Sequence, residues 1–243
     1  MRKVRTPSRL FAALRLYFED LGEIDEICLK ALKRQSLLPS NPAPIRIERF
    51  VEKEFKTALR YEDFGPDNLG CTVFNSFGAV EAILVSRDLE EQNTTPARRR
   101  VRSTLAHEAG HGLLHGSLFI EGNSADLLNG SLGEKQRRIL SRTEDILVDT
   151  WRSYVGRWWE FQANQAIGRP LLPRFLLNHF MNESGIKLDS FGSPILSPAQ
   201  REALVKRAAV TFDVNPIVIR IRLDLLFPQG GKRRGKEKLH GTA

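Results

Sequence analysis

With 243 residues, 41% of them hydrophobic and 27% charged, the chain has the composition of a globular protein that can bury a substantial core, which excludes disordered and fibrous classes. Its two cysteines, Cys28 and Cys71, are too few for a disulfide framework and sit in no CxxC or Cys/His cluster, and no run approaches the roughly 18 consecutive apolar residues of a membrane span. The net charge of +8 is uneven, since the Gly-rich end "QGGKRRGKEKLHGTA" sets Lys232, Arg233, Arg234, Lys236 and Lys238 against Glu237 alone.

The N-terminus begins basic, but Arg15, Glu19 and Asp20 interrupt the apolar stretch before the core of a signal peptide can form, so a soluble, cytoplasmic protein is expected. Residues 8 to 36 show helical periodicity at Leu10, Leu14 and Phe18, then at Ile24, Ile27 and Leu32, broken near Gly22. This predicts one kinked helix or two short ones. After the prolines of "LLPSNPAP", the stretch "PIRIERFVEKEFKTAL" places Ile47, Phe50, Val51 and Phe55 on one helical face, with Pro44 suited to the first turn. "GCTVFNS" and "GAVEAILVS" are apolar, β-branched runs on either side of Ser76, Phe77 and Gly78, and predict a strand pair with a tight turn.

A long helix is predicted from near Pro96 through "RRRVRSTLAHEAGHGLLHG", with Gly116 as its stop. Residues 117 to 135, rich in Gly, Ser and Asn, read as a loop excursion, and helical patterning resumes at "EKQRRIL". "RWWEFQANQAIG" predicts a helix ending at Gly168 and Pro170, followed by a short one in "LLPRFLLNHFM". "SPAQREALVKRAAVTF" and "NPIVIRIRLDLLF" predict an antiparallel helix pair joined at Asp213 to Asn215, capped by Ser197 and Asn215. The basic end beyond is expected to be a disordered, solubilising tail, able to hold weakly to nucleic-acid phosphates without reading sequence. The fold class expected is α+β, mostly helical, with a small β-sheet preceding the histidine-rich helix.

That helix carries the chemistry. In "TLAHEAGHGLLHG", residues 104 to 116, His107 and His111 lie one helical turn apart, so their imidazoles project from one face and can hold a single cation. This is an HExxH arrangement, for which the odds of chance occurrence in a chain of this composition are roughly one in a hundred. Zn2+ suits two neutral imidazoles, and Glu108, beside the pair, is placed to take a proton from an activated water. The flanking Leu105, Ala106, Ala109, Gly110, Leu113 and Leu114 are small or apolar, so the helix is packed and its histidines need buried partners.

A catalytic zinc takes three protein ligands, so one more must lie elsewhere. His115 is two turns from His107, about 12 Å of helix rise, too far for one ion to join all three on a straight helix. It is expected to pack or to support a ligand. Glu160, in "WWEFQANQA", is the preferred third ligand, because a carboxylate among Trp158, Phe161 and Ala166 needs a strong partner. Asn164, one turn on, is placed to hold a liganding histidine's second nitrogen. Glu144, Asp145 and Asp149 are the competing carboxylates, and Tyr154, His179 and Tyr61 are unranked candidates for stabilising an oxyanion.

"RRRVRSTLAHEAGHGLLH" followed by "WWEFQANQAIGRPLLP" resembles the ImmA/IrrE metallopeptidase family, whose members pair a "TLAHExGHxLLH" helix with a later "ExxAN…LLxP" helix. The likeness covers roughly residues 44 to 180. It implies zinc bound by His107, His111 and Glu160, with Glu108 as general base, in a zincin-like metallopeptidase domain. The chain departs from the pattern in a longer stretch before Glu160 and in "QAIGRPLLP" in place of an alanine-rich segment. The implied activity is hydrolysis of a peptide bond in a protein substrate, a DNA-binding repressor of a phage, mobile-element or stress system. The domain division expected is an N-terminal helical segment (1–43), the metallopeptidase domain (44–180), a C-terminal helical pair (181–228) and the basic tail (229–243). The competing expectation is a metal-holding regulatory module that cleaves nothing and contacts a partner or nucleic acid through Arg98, Arg99, Arg100, Arg102 and the tail.

Overall fold

The computed structural model describes residues 2–5, 14–17, 22–120, 138–142, 158–187, 189 and 194–227. Four β-strands form a mixed sheet in the order β3 (Leu59–Glu62), β5 (Val80–Ser86), β4 (Asn68–Phe74), β6 (Arg138–Arg142). β3 runs parallel to β5, while β4 is antiparallel to both β5 and β6. The expected strand pair is the β4–β5 hairpin. Its turn is held by Asn75, whose Oδ1 accepts from the N–H groups of Phe77 and Ala79, each at 3.0 Å, while Gly78 takes a φ of 73° that a side chain would oppose. A separate pair, β1 (Arg2–Arg5) with β2 (Leu14–Tyr17), is antiparallel.

The helices are α1 (Gly22–Arg34), α2 (Ile47–Phe55), α3 (Arg87–Glu91), α4 (Thr95–His115), α5 (Trp158–Leu171), α6 (Arg174–Glu183), α7 (Pro198–Thr211) and α8 (Pro216–Leu226). The class is therefore α+β, dominated by helix around a small mixed sheet. No helix among the described residues is long and apolar enough to cross a membrane.

α4 is the axis of the molecule. Thr94 caps its first turn, and every residue from Val101 to His111 is buried, against β4 and β5 on one side, α2 on another and α5 on a third. Small residues make this possible. A Cβ built on Gly110 would fall 2.7 Å from the Ala166 Cβ of α5, and one on Gly112 would fall 2.7 Å from the Phe55 ring of α2. The sheet presents Ile83 and Val85 to the main apolar cluster under α4, while Cys71, Ala82 and Leu84 pack on the opposite face, as strand alternation requires. Residues of α1, α2, α4, α6, α7 and α8 join that one cluster. Both cysteines are free and buried.

Several expectations are corrected. Leu14–Tyr17 is strand rather than helix: four residues cannot separate a period of 2 from one of 3.6, and pairing with β1 decides the outcome. The helical reading holds further on, where Ile24, Cys28, Ala31 and Leu32 form the buried stripe of α1. The end of "EKQRRIL" lies in β6, because Ile139, Leu140 and Ser141 pair with β4. α5 runs past Gly168 to Leu171 with Pro170 inside it; so near the C-terminal end, the proline removes little of the helical ladder. Gly116 does cap the end of α4 at His115, as expected, though with a right-handed φ of −50° that leads into a 3-10 turn. Its role is close approach, since a Cβ there would lie 2.3 Å from the Gly78 oxygen of the hairpin turn. Of the expected loop excursion, residues 121–135 lie outside the described residues, as does the basic tail.

The C-terminal helices form the expected pair. Ser197 builds a capping box with Gln200 and Asn215 caps α8, while ion pairs join Arg201 to Asp224 and Glu202 to Arg220, matching the start of α7 to the later turns of α8.

Candidate metal centre

The histidine face of α4 meets α5, the element against which α4 packs most extensively. His107 and His111 project from successive turns, and Glu160, in the first turn of α5, comes to meet them. The His107 and His111 Nε2 atoms are 3.0 Å apart, and the Glu160 Oε2 lies 3.2 Å from the first and 3.5 Å from the second. Three donor atoms thus form a nearly equilateral triangle. All three side chains are buried, and together they form a group able to hold a metal ion. Burial alone would raise the Glu160 carboxyl, but His111 and His107 hold it well below the usual carboxylate range, so it is charged near pH 7.

Behind the triangle runs a second line of contacts. His111 Nδ1 lies 2.9 Å from His115 Nδ1, and His115 Nε2 lies 3.1 Å from Gln162 Oε1 on α5. One proton assignment satisfies both pairs. His115 donates from Nε2 to the Gln162 oxygen and accepts at Nδ1 from His111, whose Nε2 is then a lone pair aimed at the triangle. Burial, then the neighbouring His111, pushes His115 down to about 3, so the ring is neutral near pH 7, as this arrangement needs. With a carboxylate oxygen at a second corner, the triangle presents lone pairs suited to a cation.

His115 thus stands outside the three-donor group and touches it only through His111. Gln162 was not foreseen. A buried amide two residues from Glu160, on a helix meeting a histidine repeat, was the available signal. Asn164, expected to hold a ring nitrogen, lines a cavity further along α5, and the contact seen at His111 Nδ1 comes from His115.

Glu108 is fully buried and turns toward β4. Thr72 Oγ1 donates to its Oε2 at 2.6 Å, while Oε1 has no donor within hydrogen-bond geometry among the described residues. Gly70 makes room for it, because a Cβ there would fall 2.7 Å from Oε1. Burial raises the Glu108 carboxyl above its ordinary value, with His107, His111 and the Ser141 and Thr72 hydroxyls pulling the other way. Such a group is a better proton acceptor than an exposed carboxylate.

Tyr61 sits half-buried on β3 and His179 pairs with Glu183 on α6 at 3.3 Å; neither hydrogen-bonds to the triangle. Tyr154, Glu144, Asp145 and Asp149 lie outside the described residues. Compared with known proteins, the chain matches no family model and no curated sequence.

Proposed function

We propose that this chain is a zinc-dependent metallopeptidase with a zincin-like active site. The observation that carries the reading is the meeting of two imidazole nitrogens and a carboxylate oxygen at 3.0 to 3.5 Å, with a second, proton-accepting carboxylate next to them in sequence. In a tetrahedral site with metal–donor distances of about 2.0–2.1 Å, the donors stand about 3.3 Å apart, so the triangle fits zinc with two nitrogens, one oxygen and a fourth position open. His107, His111 and Glu160 would hold the ion.

When bound, zinc supplies Lewis acidity that acidifies water and polarises a carbonyl. The chain's own residues do the rest. Glu108 accepts the proton of the attacking water and returns it to the leaving amine. Thr72 holds one carboxylate oxygen, so the side chain is oriented before the reaction starts. His115 and Gln162 keep His111 in the tautomer that presents Nε2. The resemblance to the ImmA/IrrE family supports a protein substrate, a DNA-binding repressor.

One observation favours a second reading, a regulatory module that holds metal without turnover: Glu108 and the three donors are all buried in this conformation. Coexpression of a candidate DNA-binding repressor with wild type and with Glu108→Gln separates the two. A peptidase consumes the repressor only in the wild type, while both proteins purify with about one equivalent of zinc. Equal survival of the repressor in both sinks the peptidase reading, and zinc below about half an equivalent sinks the centre itself.

A further inference from the structure

The arginine run before the histidines, Arg98, Arg99, Arg100 and Arg102, is divided by the fold. Arg98 and Arg99 bond the Asp213 carboxylate at 3.1 Å, and Arg102, buried, bonds the Asp213 and Ile45 carbonyls and reaches Glu48 at 3.4 Å. These three tie α4 to the α7–α8 turn and to the start of α2. Arg100 alone has no carboxylate partner among the described residues, and it is exposed.

Arg100 stands at the edge of a cavity of about 360 Å³ enclosed by α3, α4, α5 and α8. Leu89, Ile167, Val218, Ile221 and Leu225 supply its apolar walls. Arg169 and Arg222 also line it, and no acidic side chain does so among the described residues. The carboxylate that pairs with those two, Asp25, approaches from α1 and is not part of the lining. The cavity is thus apolar in its body, and its polar points are neutral side chains (Gln92, Ser103, Asn164, Gln165 and Asn215) and three arginines, so that every charged group lining it is positive. A volume of 360 Å³ lies at the small end of the range for small-molecule sites, roughly 300–1,000 Å³, and admits no folded partner.

We propose that this cavity binds a small organic acid, its apolar body between α5 and α8 and its carboxylate on Arg100. The site is independent of the metal triangle. It does lie against the same two helices, with Ser103 one turn before His107 and Asn164 one turn after Glu160. That places a ligand where it bears on the packing of α4 against α5.

The test is a calorimetric and NMR titration of the full-length protein with octanoate, with 1-octanol as the uncharged control. Two variants accompany the wild type. Arg100→Gln changes an exposed residue that no other described side chain bonds, and Ile221→Phe fills the cavity. Octanoate is expected to bind the wild type about tenfold or more tightly than octanol does, because a charge-assisted hydrogen bond is roughly twice as strong as a neutral one. Arg100→Gln should remove that preference, and Ile221→Phe should abolish both interactions. Equal affinity for the acid and the alcohol, an Arg100→Gln variant that still prefers the acid, or no octanoate binding by about ten millimolar would each overturn the proposal.

Discussion

The Nδ1 atoms of His111 and His115 face each other at 2.9 Å, so the third histidine of the repeat acts on the metal triangle through the second. Replacing His115 with Phe keeps a ring in the buried space beside Trp158 but removes both the acceptor for His111 and the donor to Gln162. Loss of such a supporting contact lowers metal affinity by roughly 10- to 100-fold. Competition between the protein and a chelator for zinc measures this directly. His115→Asn, which retains an acceptor near His111, should recover part of the loss. Wild-type affinity in His115→Phe would show that the contact is packing alone.

The same residue gives a pH signature. His115 is held at about 3 in the folded chain against an ordinary 6.5, so between those values the unfolded chain binds the extra proton. Its contribution to stability is therefore intact above about 6.5 and is lost as pH falls toward 3. Denaturant unfolding of the metal-free protein should show wild type losing stability faster than His115→Phe across that window. Parallel curves would mean that the ring is not buried neutral.

Gly70 places β4 against the general-base candidate. A Cβ at residue 70 would lie 2.7 Å from both Glu108 Oε1 and Thr104 Cγ2, closer than carbon atoms tolerate. Thr72 already fixes the other carboxylate oxygen, so Glu108 has little room to withdraw. Gly70→Ala is expected to lower stability by about 1–3 kcal/mol and to reduce hydrolysis, leaving zinc content unchanged. A variant as stable and as active as wild type would mean that the strand simply moves away.

What could be read from the sequence follows from how local each feature is. His107 and His111 share a face because helix geometry is set within one turn, and Glu160 stood out because a carboxylate among apolar neighbours demands a partner. The caps at Ser197 and Asn215 were equally local. β2 and β6 were not legible, since four- and five-residue segments take their conformation from strands distant in sequence. The arginine run was misleading for the same reason. Its role depends on Asp213, more than a hundred residues away, and only contact in three dimensions distinguishes Arg100 from its neighbours. The pairing of His115 with Gln162 likewise needs the way α5 lies on α4, which no single periodicity encodes.

That way of lying depends on Gly110, one residue before the second histidine. In a helix interior Gly→Ala is ordinarily stabilising by about 0.5–1 kcal/mol, so a substitution at this position that destabilises reports contact rather than propensity. Here an added Cβ would fall 2.7 Å from the Ala166 Cβ and 3.4 Å from the Ala163 backbone. Both helices are buried at that level and cannot both stay in place. Gly110→Ala should push α5 outward and carry Glu160 away from His107 and His111, weakening zinc binding more than it weakens the fold. Ala166→Gly removes the atom in the way. The double variant should therefore bind zinc more tightly than Gly110→Ala alone, with a coupling between the two changes that independent sites would not show. Chelator competition on the four proteins of the cycle measures it. Additive effects, or a Gly110→Ala protein that gains stability and binds zinc normally, would mean that the helix approach does not set the donor spacing.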